Sequence, residues 1–390
     1  MRNVILLIII IILVLTLVFK KVNIALSVSV GAFVYGFFNY GFNIVEVTLK
    51  SIDLSIPATV GTFISAILLT ELMYLKGAST SIVKGLSIFG ARSAAITAPM
   101  IIGLLPMPGG AYTSAMITSP LYEVLGLKSE ERTYVNYWFR HIFSITWPLV
   151  PGVVIVAGIL GLEPYMVSSY TWPISLASMT SGLILSTRLL KESRLPEKDI
   201  RGILHLWPLL AVLSIVFITG VSMLHALLIT SIVYILVTRV RLREFMHALK
   251  YALNPTILVV VIIALIFSKY LQFSNVGVEF VNLLKDWEII TSFILSFVIG
   301  IAIGIESISM ALSTSILASF IPLEKLVYGF LGLYIGHLLS PSHPCLVMTV
   351  EYYKSEYPKV YRYLLVSAII TIIITLMTIS LFTSLNVTLR

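Results

Sequence analysis

Charge is what this 390-residue sequence has least of, at 11% of residues against a hydrophobic share of 58%. Soluble chains carry about 25% charged residues, so an ordinary solvated surface could not enclose this much apolar side chain. Mean hydropathy is +1.02. The chain reads as an integral membrane protein. Cysteine occurs once, at Cys345, which excludes an intramolecular disulfide and any cluster of cysteine ligands. There is no His-Glu-x-x-His pair, no phosphate-binding loop and no Gly-x-Ser-x-Gly elbow. Neither an enzyme nor a bound cofactor is expected. The net charge of +8 comes without a Lys/Arg stripe interleaved with aromatics, so nucleic acid is not an expected partner. Basic residues in such a chain gather in the loops on one side of a bilayer.

Apolar runs predict ten spans, at about 3–19, 24–42, 57–75, 137–160, 165–187, 203–219, 222–238, 255–271, 326–352 and 362–384. A bilayer core takes about 20 residues per span. The first run is followed by Lys20-Lys21 with no small-residue cleavage site, so a retained helix is expected there rather than a signal peptide. Between the third and fourth span of each half lie two shorter arms, 91–105 with 111–125 and 288–303 with 308–320. Arms this short read as re-entrant hairpins, because irregular backbone at membrane depth must lie within protein or beside an aqueous cavity. Segments 43–54, 78–88, 241–251 and 276–286 read as short interfacial helices or connectors.

The halves match at an offset of 196. Ala115, Thr118, Ser119, Leu121 and Leu127 fall on Ala311, Thr314, Ser315, Leu317 and Leu323, and His141, Ser144 and Pro148 fall on His337, Ser340 and Pro344. The expected fold is an all-α membrane protein of two inverted repeats, each with five spans, one re-entrant hairpin and one broken helix. The repeats would occupy 1–188 and 203–390, joined by a cytoplasmic linker, 189–202. Within them 1–88 and 203–286 would form a scaffold, and 89–187 and 287–390 the transport part. With both termini outside a plasma membrane, 20 of the 26 basic residues fall on the inner side. Inverted repeats with paired discontinuous helices point to a secondary transporter.

The segments Leu104–Met116 (LLPMPGGAYTSAM) and Asn136–Gly152 (NYWFRHIFSITWPLVPG) resemble an uncharacterised ten-helix integral membrane family. That family is placed in the ion-transporter superfamily beside gluconate, citrate, dicarboxylate and sodium–proton transporters. The resemblance implies a homodimer with a scaffold and a mobile transport part, and substrate and ion held at hairpin tips and helix breaks. The chain lacks the Ser-Asn-Thr tip of the sodium–dicarboxylate branch.

The first tip carries Pro108, Gly109 and Gly110, followed by Thr113 and Ser114 at the start of a half-helix whose free N–H groups suit an anion. The second carries Glu306, Ser307 and Ser309. A carboxylate at membrane depth is costly and is a functional candidate by default. The broken helices add Ser144, Thr146 and Pro148, then Ser340, Ser342, His343 and Pro344. Expected at the substrate are Pro108, Gly109, Gly110, Thr113, Ser114, Ser307, Ser309, Ser342 and His343. Expected at a sodium ion or proton are Glu306, Ser144, Thr146 and Ser340. His141 and His337 read first as symmetric packing or hydrogen-bonding residues, Arg140 as a snorkelling boundary residue, and Glu71 and Glu123 as solvated span ends. The expected function is ion-coupled transport of a small organic anion by alternating access; the alternative is a cation–proton exchanger with no organic substrate.

Overall fold

Proline at a first helical position and glycine just past a last one divide this apolar chain into many helices. The computed structural model describes residues 2–20, 22–104, 110–187, 189–190, 199–283, 287–341 and 343–384, and every regular element among them is helical. The first ten α-helices are α1 (Arg2–Phe19), α2 (Ile24–Tyr40), α3 (Ile44–Ser51), α4 (Ser55–Leu75), α5 (Ala78–Leu86), α6 (Ala91–Gly103), α7 (Gly110–Val124), α8 (Ser129–Arg140), α9 (Pro151–Leu160) and α10 (Pro164–Ser186). The next ten are α11 (Trp207–Thr219), α12 (Met223–Thr238), α13 (Leu242–Ala252), α14 (Pro255–Phe273), α15 (Val276–Leu283), α16 (Glu288–Ile303), α17 (Glu306–Leu317), α18 (Leu326–Leu338), α19 (Pro344–Tyr353) and α20 (Tyr357–Ser384). Short helices recur at matching places: α3 and α13, α5 and α15, and α9 and α19, which are both 10 residues long. The internal similarity of the sequence thus reappears as a repeated order of elements.

Among the described residues, four helical stretches are long and apolar enough to cross a membrane: Ala25–Ser51, Ile56–Leu75, Ile200–Thr219 and Tyr357–Ser384. α9 and α10 qualify only as a pair, bent by 113°. Gly161 ends α9 in the left-handed conformation (φ 66°), and Pro164 opens α10. Uninterrupted helix is therefore scarcer than the ten apolar runs suggest, because these punctuating residues cost hydropathy little and end a helix all the same.

The helices sort into two groups by what they touch. α2 packs on α1 and α14, while α12 and α13 pack on α4. In the other group α6 lies on α8, α16 on α18, α10 on α20, and α19 on both α7 and α8. The groups meet where α4 and α14 touch α9, and where α14 touches α17. The α16 and α18 backbones run close together. A Cβ added to Gly332 or Gly336 would lie 2.1 Å from Phe293 O or 2.2 Å from Phe297 O, so only glycine lets these backbones meet.

The breaks differ in length. Residues 141–150 separate α8 from α9, but only 339–343 separate α18 from α19. The sequence offset matches Pro148 to Pro344, yet Pro151 is the residue that opens α9 as Pro344 opens α19. Extra residues within the first break shift the register there. Val150, not a histidine, is consequently the helix-capping counterpart of His343.

Candidate functional site

Along α8, residues Thr133 to Phe139 are all buried. No face of its final turn is left for solvent, so Arg140 and His141 are carried into the protein. There they meet the second break. Arg140 Nη1 donates to Cys345 Sγ at 3.3 Å, and His141 Nε2 lies 3.1 Å from His343 Nε2. The break carbonyls have partners of their own. Tyr137 Oη donates to Leu338 O and Tyr361 Oη to Leu339 O, each at 3.0 Å. In the first break Ser175 Oγ donates to Ile142 O at 2.7 Å.

Arg140, His141, His343 and Cys345 line a cavity of about 260 Å³. Arg140, His141 and Ser144 come from the first break, His343 and Cys345 from the second, and Glu306 with Ser307 from the gap between α16 and α17. Gly304 (φ 65°) ends α16 and Glu306 is the first residue of α17. Its Oε2 stands 3.8 Å from His337 Nε2, too far for a hydrogen bond. Among the described residues, Glu306 Oε1, both ring nitrogens of His337, Arg140 Nε and Ser144 Oγ are buried without a hydrogen-bond partner. Gly152 closes another wall, where an added Cβ would lie 2.4 Å from Met310 Sδ. A cationic side chain, a carboxyl group and unpaired donors and acceptors thus share one small enclosure. Such convergent polar groups are what a solute-binding pocket requires.

The structure brings Glu306, Ser307, Ser144 and His343 together here and sets other expected residues elsewhere. Ser114 Oγ donates to Asn136 Oδ1 at 2.6 Å, Ser309 Oγ to Ile305 O at 2.9 Å, and Ser340 Oγ to Ile301 O at 2.7 Å. Thr146 Oγ1 pairs with Ser175 Oγ at 2.7 Å. Gly110 begins α7 and Thr113 is half-buried in its first turn. Pro108, Gly109 and Ser342 lie outside the described residues.

Two expectations need correction. Arg140 does not snorkel to a boundary; its guanidinium lines the cavity. Glu71 is fully buried on α4, with His247 Nε2 3.7 Å away, because α12 and α13 cover that end of α4. His141 and His337, expected to pack or hydrogen-bond, have ring centroids 5.0 and 4.1 Å from that of His343. Glu123, by contrast, is largely exposed and pairs with Arg132 at 3.5 Å. The available signal for Arg140 was its place at the end of an unbroken Tyr-Trp-Phe run with no polar stripe to carry a cation outward. No comparable signal marked Cys345.

The fold is similar to that of the YdaH transporter of Alcanivorax borkumensis, with a TM-score of 0.61 and 14% identity over 85% of this chain and 86% of that one. No curated protein matches the chain. A multi-pass membrane protein is what these helices and this shared fold describe. Residues 2–382 match the family described as "Protein of unknown function (DUF401)", and the chain belongs to that family.

Proposed function

We propose that this protein is an ion-coupled secondary transporter that carries a small organic anion, of the carboxylate class, by alternating access. The observation that carries this is the single cavity in which Arg140 and Glu306 converge from different breaks. The guanidinium offers planar donors to a carboxylate, and Ser307 adds a hydroxyl beside it. Glu306, with Ser144, holds the coupling cation, sodium or a proton. The shared fold with a transporter supports this assignment, and so does the repeated helix order, which suits two inverted repeats. The group containing α2, α4, α12 and α14 serves as scaffold. The group containing α6–α10 and α16–α20 moves. The protein sits in the plasma membrane with both termini outside, works as a homodimer, and falls within the ion-transporter superfamily.

The test is a thermal-shift screen of detergent-purified protein against sodium, pH and a panel of carboxylates, sugar acids and phosphonates. A ligand at 100 times its dissociation constant stabilises by about 2.7 kcal/mol, enough to resolve. One carboxylate should stabilise the wild type, more strongly with the coupling cation present. Arg140→Gln should abolish the anion response and Glu306→Gln the cation response. Stabilisation by cations or pH alone across the whole panel would instead favour a cation–proton exchanger working through Glu306.

A further inference from the structure

Two backbone carbonyls fix the tautomers of the central histidine pair. His141 Nδ1 lies 2.6 Å from Tyr137 O, and His343 Nδ1 lies 2.7 Å from Gly304 O. A carbonyl oxygen can only accept, so each Nδ1 carries the hydrogen and each neutral ring presents a bare lone pair at Nε2. Those lone pairs face each other across 3.1 Å, an arrangement that repels unless a cation lies between them. Cys345 Sγ completes the set: the three donor atoms lie within 4.8 Å of one another. Both histidines are buried, with 2% and 4% of their surface exposed.

We propose that His141 Nε2, His343 Nε2 and Cys345 Sγ form a binding site for a borderline-soft divalent transition-metal ion of the zinc class. Two imidazoles and a thiolate match zinc's donor preference, whereas magnesium and calcium take oxygen. Zinc bonds of about 2.0–2.1 Å to nitrogen and 2.3 Å to sulfur, at tetrahedral angles, place such ligands roughly 3.3–3.6 Å apart. The 3.1 Å between the two nitrogens needs little adjustment, and the sulfur, within 4.8 Å of both, closes the triangle by a side-chain rotation. The Nδ1–H bonds to Tyr137 O and Gly304 O are the outer contacts that orient a metal-bound imidazole. All three ligands line the cavity, so the fourth tetrahedral position opens into it. As the sulfur–metal bond forms, the thiol proton leaves to solvent. Arg140 releases the sulfur and becomes the cation beside that open position, where it favours an anionic fourth ligand. The site stands on the geometry of the pair and the cysteine, and goes beyond the transport assignment without depending on it.

The test uses the purified full chain, freed of any affinity histidines, with cobalt(II) as a spectroscopic stand-in for zinc. One cobalt per chain should bind, giving the visible bands of a four-coordinate ion and a sulfur-to-cobalt charge-transfer band, both erased by zinc. Cys345 is the sole thiol, so zinc, but not magnesium, should also protect the protein from maleimide. Cys345→Ser should remove the charge-transfer band. His343→Gln should weaken cobalt binding by more than roughly 100-fold, since loss of outer-shell partners alone costs 10–100-fold. Metal-free melting of each variant separates a lost ligand from a lost fold, and protection of the wild type decides the matter if a variant does not fold. Absence of the band together with equal alkylation with and without saturating zinc would overturn the site; that is the behaviour of a proton shared between the rings. A cobalt spectrum unchanged in Cys345→Ser would overturn it as well, by placing the ion elsewhere.

Discussion

Gly332→Ala tests whether the close contact between α16 and α18 is what positions the second break. A methyl there would start 2.1 Å from Phe293 O, and a carbon rarely approaches an oxygen closer than about 3.3 Å. The helices would have to part by roughly 1 Å. His343 Nδ1 to Gly304 O and Ser340 Oγ to Ile301 O, both 2.7 Å across this same seam, would then stretch past hydrogen-bonding range. Overpacking costs about 1–3 kcal/mol and a lost hydrogen bond about 0.5–1.5 kcal/mol. The better helix propensity of alanine returns about 0.8–1.0 kcal/mol. With both bonds lost, a net loss of about 3 kcal/mol is expected from these terms. Gly329→Ala on the same helix is the control. Its added Cβ meets Leu317 Cδ1, the end of a side chain that can rotate away, so its effect should stay within about 1 kcal/mol of zero. The assay is thermal unfolding in detergent, followed by ligand response. Equal melting of the two variants would refute the claim that backbone contact, rather than helix propensity, governs this seam.

Two further outcomes follow from contacts at the edges of the site. Tyr137→Phe removes the hydroxyl that donates to Leu338 O and leaves that carbonyl unsatisfied in the interior, at a cost of about 1–3 kcal/mol, read as a lower melting temperature with the fold retained by circular dichroism. Outside the spans, the Lys76 ammonium bonds Glu244 at 2.7 Å and, with the Arg241 N–H, holds its carboxyl below the usual value. A carboxyl lowered by folding contributes stability above its unfolded pKa and loses it as pH falls through the folded one. Melting curves of wild type and Glu244→Gln should therefore differ at neutral pH and converge in acid; a constant gap across that range would reject the pairing.

The sequence marked where helices start and stop, because those signals are local. α3, α5, α13 and α15 stand where short amphipathic segments were expected, and the gap before Glu306 falls at Gly304 as its glycine required. Glu306, Ser307, Ser144 and His343 were singled out as polar residues at breaks, and they share the cavity. Ser114, Ser309, Thr146 and Ser340 carried the same signal and have other partners. A hydroxyl in a helix break looks alike in sequence whether it faces a solute or a neighbouring carbonyl.

What the sequence determined by itself was the solvent the chain belongs in, the punctuation of its helices and the repetition of their order. Each of these depends on residue type and on neighbours a few positions away. Only the tertiary structure decided which break meets which. His141 and His343 are 202 residues apart, and Arg140 and Cys345 are 205 apart. Their meeting depends on α8 and α19 packing side by side, and hydropathy, which reads every buried face as equivalent, carries no record of which two faces touch.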